Sequence, residues 1–218
     1  FLAMLIGINL TLDSLNVLEG QQIFFSSATL YLFLFSIIIS GATGTTITRF
    51  ISDRIHEDEE DYIPSAMFGT SIFVSVLASF FAATIVSLLY LDGITDLLML
   101  GLFYTLTIVV SITYNLMLFI SALKEYIKIT LAFLVGILFG ALTFVFLYFL
   151  SNLNILVTIL FAMVLVFATI SLILAYLILT FFNHSNQKYF AFMLYYKKHP
   201  YLFLSGLLYI VTLYVPNI

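Results

Sequence analysis

The chain has 218 residues, of which 63% are hydrophobic and only 8% charged, with a mean hydropathy of +1.21 and a net charge of −4. Folded water-soluble domains keep about a quarter of their residues charged, so a soluble globule is excluded and lipid is the solvent for most of the chain. The absence of cysteine rules out disulfides and thiolate metal sites, and the acidic balance offers nucleic acid no basic patch.

A helix needs about 20 mainly apolar residues to cross the hydrocarbon layer. The apolar runs here are continuous, whereas barrel strands alternate over roughly ten residues, so the expected fold is an all-α, polytopic transmembrane helical bundle. The sequence opens on Phe1 rather than Met. Phe1 to Leu12 lacks the basic flank and small-residue cleavage site of a signal peptide, and reads as the tail of an upstream span in a longer polypeptide.

The next span covers Ile23 to Ile47 and runs into SGATGTTITR, Ser40 to Arg49. There Gly41, Ala42 and Gly44 allow a neighbouring backbone to come close. Thr43, Thr45 and Thr46 either bond across helices or line a wet path, and the sequence leaves both readings open. Thr48 to Asp61, TRFISDRIHEDEED, then crowds eight fixed charges and His56 into fourteen residues. It is expected to be a solvated loop, 48–63.

Further spans follow at Pro64 to Leu91 and Leu97 to Leu123, the latter carrying Tyr114 and Asn115. An unpaired amide in hydrocarbon costs roughly 4 to 8 kcal/mol, so Asn115 must meet a neighbouring helix, a substrate or water. After a loop at 124–128 come Ile129 to Leu150, whose Gly136 and Gly140 have the spacing of a helix-packing face, and Ile155 to Phe182. A linker at 183–200 leads to an apolar run from Tyr201 to Ile218, which Pro216 is expected to kink near Leu213.

All seven Lys and Arg fall in alternate joints: Arg49 and Arg54, Lys124 and Lys128, then Lys188, Lys197 and Lys198. Basic residues beside spans resist translocation, which places the loops 48–63, 124–128 and 183–200 in the cytoplasm. Ionisable groups are absent from the middle of every span, against a proton relay within them. His56, His184 and His199 lie far apart in loops, and no phosphate-binding loop is present. The expectations are therefore no metal, no cofactor, no catalytic residue and no enzyme.

The string TRFISDR, Thr48 to Arg54, followed by ALKEY, Ala122 to Tyr126, and the Leu208–Tyr209 pair resembles the Pel exopolysaccharide transporter family (PelG-like) of the multidrug, oligosaccharidyl-lipid and polysaccharide exporter superfamily. Ala122 stands where that family usually has Gly, and Pro216 and Asn217 stand where it often has an acidic residue. The resemblance implies six or seven visible spans of a 12-span exporter, with 1–182 in the first half, 183–200 a cytoplasmic linker and 201–218 the start of the second half. It further implies export of a galactosamine-containing polysaccharide across the bacterial cytoplasmic membrane during biofilm matrix synthesis. The partners would be a cytosolic glycosyltransferase and other membrane subunits of the synthase.

On this reading Thr43, Thr45, Thr46, Tyr114 and Asn115 are candidates for the substrate path, while Arg49, Asp53, Arg54, Lys124 and Tyr126 are candidates for latching helix ends or docking partners. The rivals are a non-transporting scaffold of the synthase, a lipid-linked oligosaccharide flippase, which would need a cationic cavity, and a drug antiporter, which would need carboxylates inside the spans.

Overall fold

The computed structural model describes residues 2–15, 17–91, 93–94, 96–150, 154–182 and 185–214. His184, Pro216 and Asn217, with the expected kink, lie outside the described residues. Eight helices account for nearly all of the rest: α1 Leu2–Ser14, α2 Glu19–His56, α3 Tyr62–Leu91, α4 Leu97–Ala122, α5 Tyr126–Leu150, α6 Ile155–Phe181, α7 Phe192–Lys198 and α8 Pro200–Tyr214. Five of them, α2 to α6, are long and apolar enough to cross a membrane.

Helix α4 sits at the centre, packed on α2, α3 and α6. Phe25 of α2 meets Phe103 of α4 with ring centroids 6.2 Å apart, and Phe33 of α2 meets Phe167 of α6 edge-on at 5.3 Å. Hydroxyls knit the same surfaces. Ser36 donates to the Thr107 carbonyl at 3.4 Å, and Thr113 lies 2.7 Å from the Ser171 hydroxyl. Lipid offers helices no hydrophobic reason to associate, so close packing and such bonds carry the assembly.

Helix α5 is held differently. Its only buried positions are Ala132, Gly136 and Gly140, a stripe with a period of four that lies against Ala162, Val166 and Ile170 of α6. The packing role expected of the two glycines is what the structure shows.

Three helix ends share one stop. Asp58, Gly93 and Lys124 have left-handed φ values of 57°, 96° and 60°. At the first, Asp58 N–H bonds the Ile55 carbonyl and Glu59 N–H that of Arg54; at the third, Lys124 N–H bonds Ser121 and Glu125 N–H bonds Ile120. This is the Schellman arrangement, which satisfies the last carbonyls of a helix. Asp96 and Asn154 cap the starts of α4 and α6 with their side-chain oxygens.

Three expected loops need correction. The stretch 48–63 is not an open loop: α2 continues through His56 and α3 begins at Tyr62, leaving a turn of five residues. The membrane boundary is not a helix boundary, because the stretch between Thr45 and His56 holds no Gly or Pro and Arg49 and Asp53 pair at i,i+4. Likewise Tyr126 and Lys128 belong to α5 rather than to a loop at 124–128, with Lys128 reaching back 3.2 Å to Glu125. The linker 183–200 contains α7, which folds because Phe192 is fully buried against α3.

The basic residues end up together. Lys188 Nζ lies 2.8 Å from the Tyr62 hydroxyl, and Lys128 sits over the Phe181 ring at 5.7 Å, so the α2–α3, α4–α5 and α6–α7 joints share one end of the bundle. This is called the basic end below.

Candidate functional site

Positions 41, 44, 45, 48, 49 and 52 recur at three- and four-residue intervals and so lie on one face of α2. Gly41, Gly44, Thr45, Thr48, Arg49 and Ser52 form the floor of a cleft of about 570 Å³, walled by Leu118 of α4 and by Leu202, Tyr209 and Ile210 of α8. A second cavity of about 300 Å³, lined by Ile37, Ser40, Gly41, Tyr114 and Ile210, shares Gly41 and Ile210 with it. Together they make a groove running inward from the basic end.

The small residues set the depth of this groove. At Gly41 a Cβ would overlap the Ile210 side chain, while at Gly206 it would lie 2.6 Å from Thr45 Oγ1 and 2.8 Å from the Gly41 carbonyl. Helix α8 therefore crosses α2 almost backbone to backbone. Thr45 seals the crossing by donating to the Leu202 carbonyl at 2.6 Å.

The expected path residues divide. Thr45 and Tyr114 line the groove. Thr43 and Thr46 are fully buried on another face of α2, where the Tyr196 hydroxyl donates to the Thr43 carbonyl at 3.3 Å and lies beside Thr46. Asn115 is also fully buried, its Nδ2 donating to Thr70 at 3.1 Å and to Ser71 at 3.3 Å across the α3–α4 interface. That geometry is an interhelical bond; the amide oxygen has no partner among the described residues.

The charged residues at the end of α2 form a polar knot. Arg49 pairs with both oxygens of Asp53 (Nε to Oδ1, 3.0 Å; to Oδ2, 3.2 Å), and Oδ2 also accepts the Tyr195 hydroxyl at 2.9 Å. Burial and that bond to Asp53 push the Tyr195 phenol above its ordinary value, so it stays protonated and donates. Arg54 pairs with Glu57 at 3.0 Å and with Glu59, and its guanidinium lies over the rings of Phe50 and Tyr62 at 5.6 and 5.1 Å. Lys124, on the separate α4–α5 turn, and Tyr126, the first residue of α5, are exposed.

Several contributors were not among the expected site residues: Tyr195 and Tyr196, which read from sequence as interfacial aromatics, and Leu202, Gly206 and Asn186. The run YFAFMLYY, 189–196, puts five aromatic residues into a linker otherwise polar, which was the available signal of docking. Among the described residues no group of three or more His, Asp or Glu is placed to hold a metal.

Five span-length helices with a small-residue, hydroxyl-bearing groove define a multi-pass, all-helical membrane protein. The family model described as "PelG: Putative exopolysaccharide Exporter (EPS-E)" matches residues 1–218, the whole chain. The chain belongs to this family. No curated protein and no solved structure matches it.

Proposed function

We propose that this chain belongs to a transporter that carries a Pel-type, galactosamine-containing exopolysaccharide across the bacterial cytoplasmic membrane, moving the polymer without chemically altering it. The observation that carries the reading is the family match over the full length of the chain. The groove supports it physically. A hydroxyl-rich polymer leaving water needs hydrogen-bonding groups and an aromatic face in its path. Ser40, Thr45, Thr48 and Ser52 supply the first, and Tyr114 and Tyr209 the second.

In this proposal α1 to α6 belong to the first half of a two-half bundle of about a dozen spans. Residues 183–200 link the halves, and α8 opens the second. The basic end faces the cytoplasm, where a glycosyltransferase delivers the growing chain and other membrane subunits complete the synthase. Thr45 and Tyr114 contact the polymer. Thr43, Thr46 and Asn115 hold the wall behind it, while Arg49, Asp53 and Arg54 latch helix ends, and Lys124 and Tyr126 present a turn to partners.

The test uses sealed inside-out vesicles carrying the full-length protein and its synthase, supplied with sugar nucleotide outside. Polymer should become protected from an added glycosidase only when this protein is present. Equal protection with and without it would reduce the protein to a scaffold.

A further inference from the structure

Residues 185–199 leave α6 and return across the end of α2 and α3 before α8 begins. The first part is bonded to the acidic turn. Asn186 N–H donates to the Asp61 carbonyl at 3.0 Å, its Nδ2 donates to Asp61 Oδ2 at 3.1 Å, and its own carbonyl accepts from Ser65. The middle is seated at Gly69, where a Cβ would overlap the Tyr189 carbonyl oxygen, and Phe192 fills the space beside Phe73, ring centroids 6.1 Å apart. The last part rests on α2 through Tyr195, edge-on to Phe50 at 5.2 Å and bonded to Asp53, and through Tyr196.

We infer that this segment is a strap that holds the α8 wall of the groove in place at the basic end, with Asp53 as its latch. The inference rests on reading the groove as the polysaccharide's path. Only His199 separates the end of α7 at Lys198 from the start of α8 at Pro200, so the position of the strap fixes where the first turn of α8 lies. That turn supplies Leu202, whose carbonyl is held by Thr45 and whose side chain walls the groove. Releasing α7 lets this wall move.

The attachment is suited to opening. Phe192 is the one fully buried residue of α7; the half-buried Tyr195 and Tyr196 rings add contacts to Phe50 and Phe73, and the rest are polar bonds near the surface, so this short element opens more readily than a packed span. Asp53 is shared: its Oδ2 accepts both from Arg49, part of the groove floor, and from Tyr195 of the strap. The groove wall and the strap are thereby joined through one carboxylate.

These 218 residues hold no cysteine, so introduced thiols report cleanly once any cysteine elsewhere in the full-length protein has been replaced. Ser40 lines the inner cavity and is buried, which makes Ser40→Cys a reporter of opening in the full-length protein in proteoliposomes, read by the rate of reaction with a polar maleimide. Tyr195→Phe removes the bond to the Asp53 carboxylate and should speed labelling about tenfold, the size of one hydrogen bond to a charged group. The pair Ser65→Cys with Ser185→Cys, whose hydroxyls are 3.1 Å apart, should oxidise to a disulfide that slows labelling below the unmodified rate, with recovery after reduction.

The reduced form of the same protein controls for folding. One labelling rate in all backgrounds overturns the strap, and so does failure of the pair to oxidise. Labelling needs no polymer. If it responds as expected while the vesicle assay shows no export, the strap stands and the transport reading falls.

Discussion

Replacing Gly136 by alanine sets two energies of opposite sign against each other. Within an isolated helix, alanine is favoured over glycine by about 1 kcal/mol. In the structure, however, a Cβ at Gly136 would sit 3.0 Å from both Ile170 Cδ1 and the Val166 carbonyl oxygen, and closer still to Ile170 Cγ1. Carbon contacts relax near 3.5 to 4.0 Å, so α5 must back away from α6 by roughly half an ångström or more, or Ile170 must leave its rotamer. Overpacking of this kind costs about 1 to 3 kcal/mol. Because Ala132, Gly136 and Gly140 are the only buried positions of α5, few other contacts share the strain.

The net expectation is destabilisation by up to about 2 kcal/mol. Gly101 in α4 has nothing within 4 Å of its Cβ position, so Gly101→Ala should instead stabilise by roughly 0.5 to 1 kcal/mol. Thermal unfolding in a mild detergent, followed by loss of helical circular dichroism, should lower the midpoint for Gly136→Ala and raise it for Gly101→Ala. Equal shifts for the two variants would refute the α5–α6 packing.

Lys124 occupies a left-handed turn that costs an ordinary residue roughly 1 to 2 kcal/mol, so Lys124→Gly should raise the unfolding midpoint in the same detergent assay. A double-mutant cycle between Asn115→Ala and Thr70→Val should give a coupling of about 0.6 kcal/mol and below about 2, as measured for bonds between membrane helices; zero coupling would deny the bond. Tyr195 makes strap docking depend on alkaline pH. A phenol whose folded pKa is raised contributes stability that is fully present below its unfolded value, about 10, and is lost as pH rises through the folded value. Hydrogen exchange of α7 amides, corrected for intrinsic rates, should therefore be flat from about pH 6 to 9 and loosen above about 10, and Tyr195→Phe should abolish the change.

The sequence made the spans legible because each is a long run dictated by the thickness of the hydrocarbon layer, and α3 to α6 fall within three residues of their expected limits. Gly136 and Gly140 were readable for the same reason: their spacing places both on one helix face whatever the partner. Loops were harder. Charge marks where lipid ends, yet Thr48 to His56 remains helical because leaving lipid removes no backbone hydrogen bond.

The groove was half legible. Thr45 and Tyr114 were singled out, but Thr43 and Thr46, within three residues of Thr45, turn to the strap instead, since a helix rotates about 100° per residue. Which threonine faces which neighbour depends on where α7 and α8 dock, a long-range choice that no local pattern encodes. Asn186 and Tyr195 act across 125 and 142 residues of chain, and nothing in their own neighbourhoods announces those partners.

The 38 residues of α2 form a single rod about 57 Å long, nearly twice the hydrocarbon thickness. Near its start Ser26 is tied to Asn9 of α1. A lean of roughly 10° about that tether, within the ordinary range for membrane helices, would sweep the Glu57–Asp61 corner about 8 Å sideways. The rod thus gears small rearrangements among lipid-embedded helices into displacements that anything resting on that corner would feel, and it works equally well in reverse.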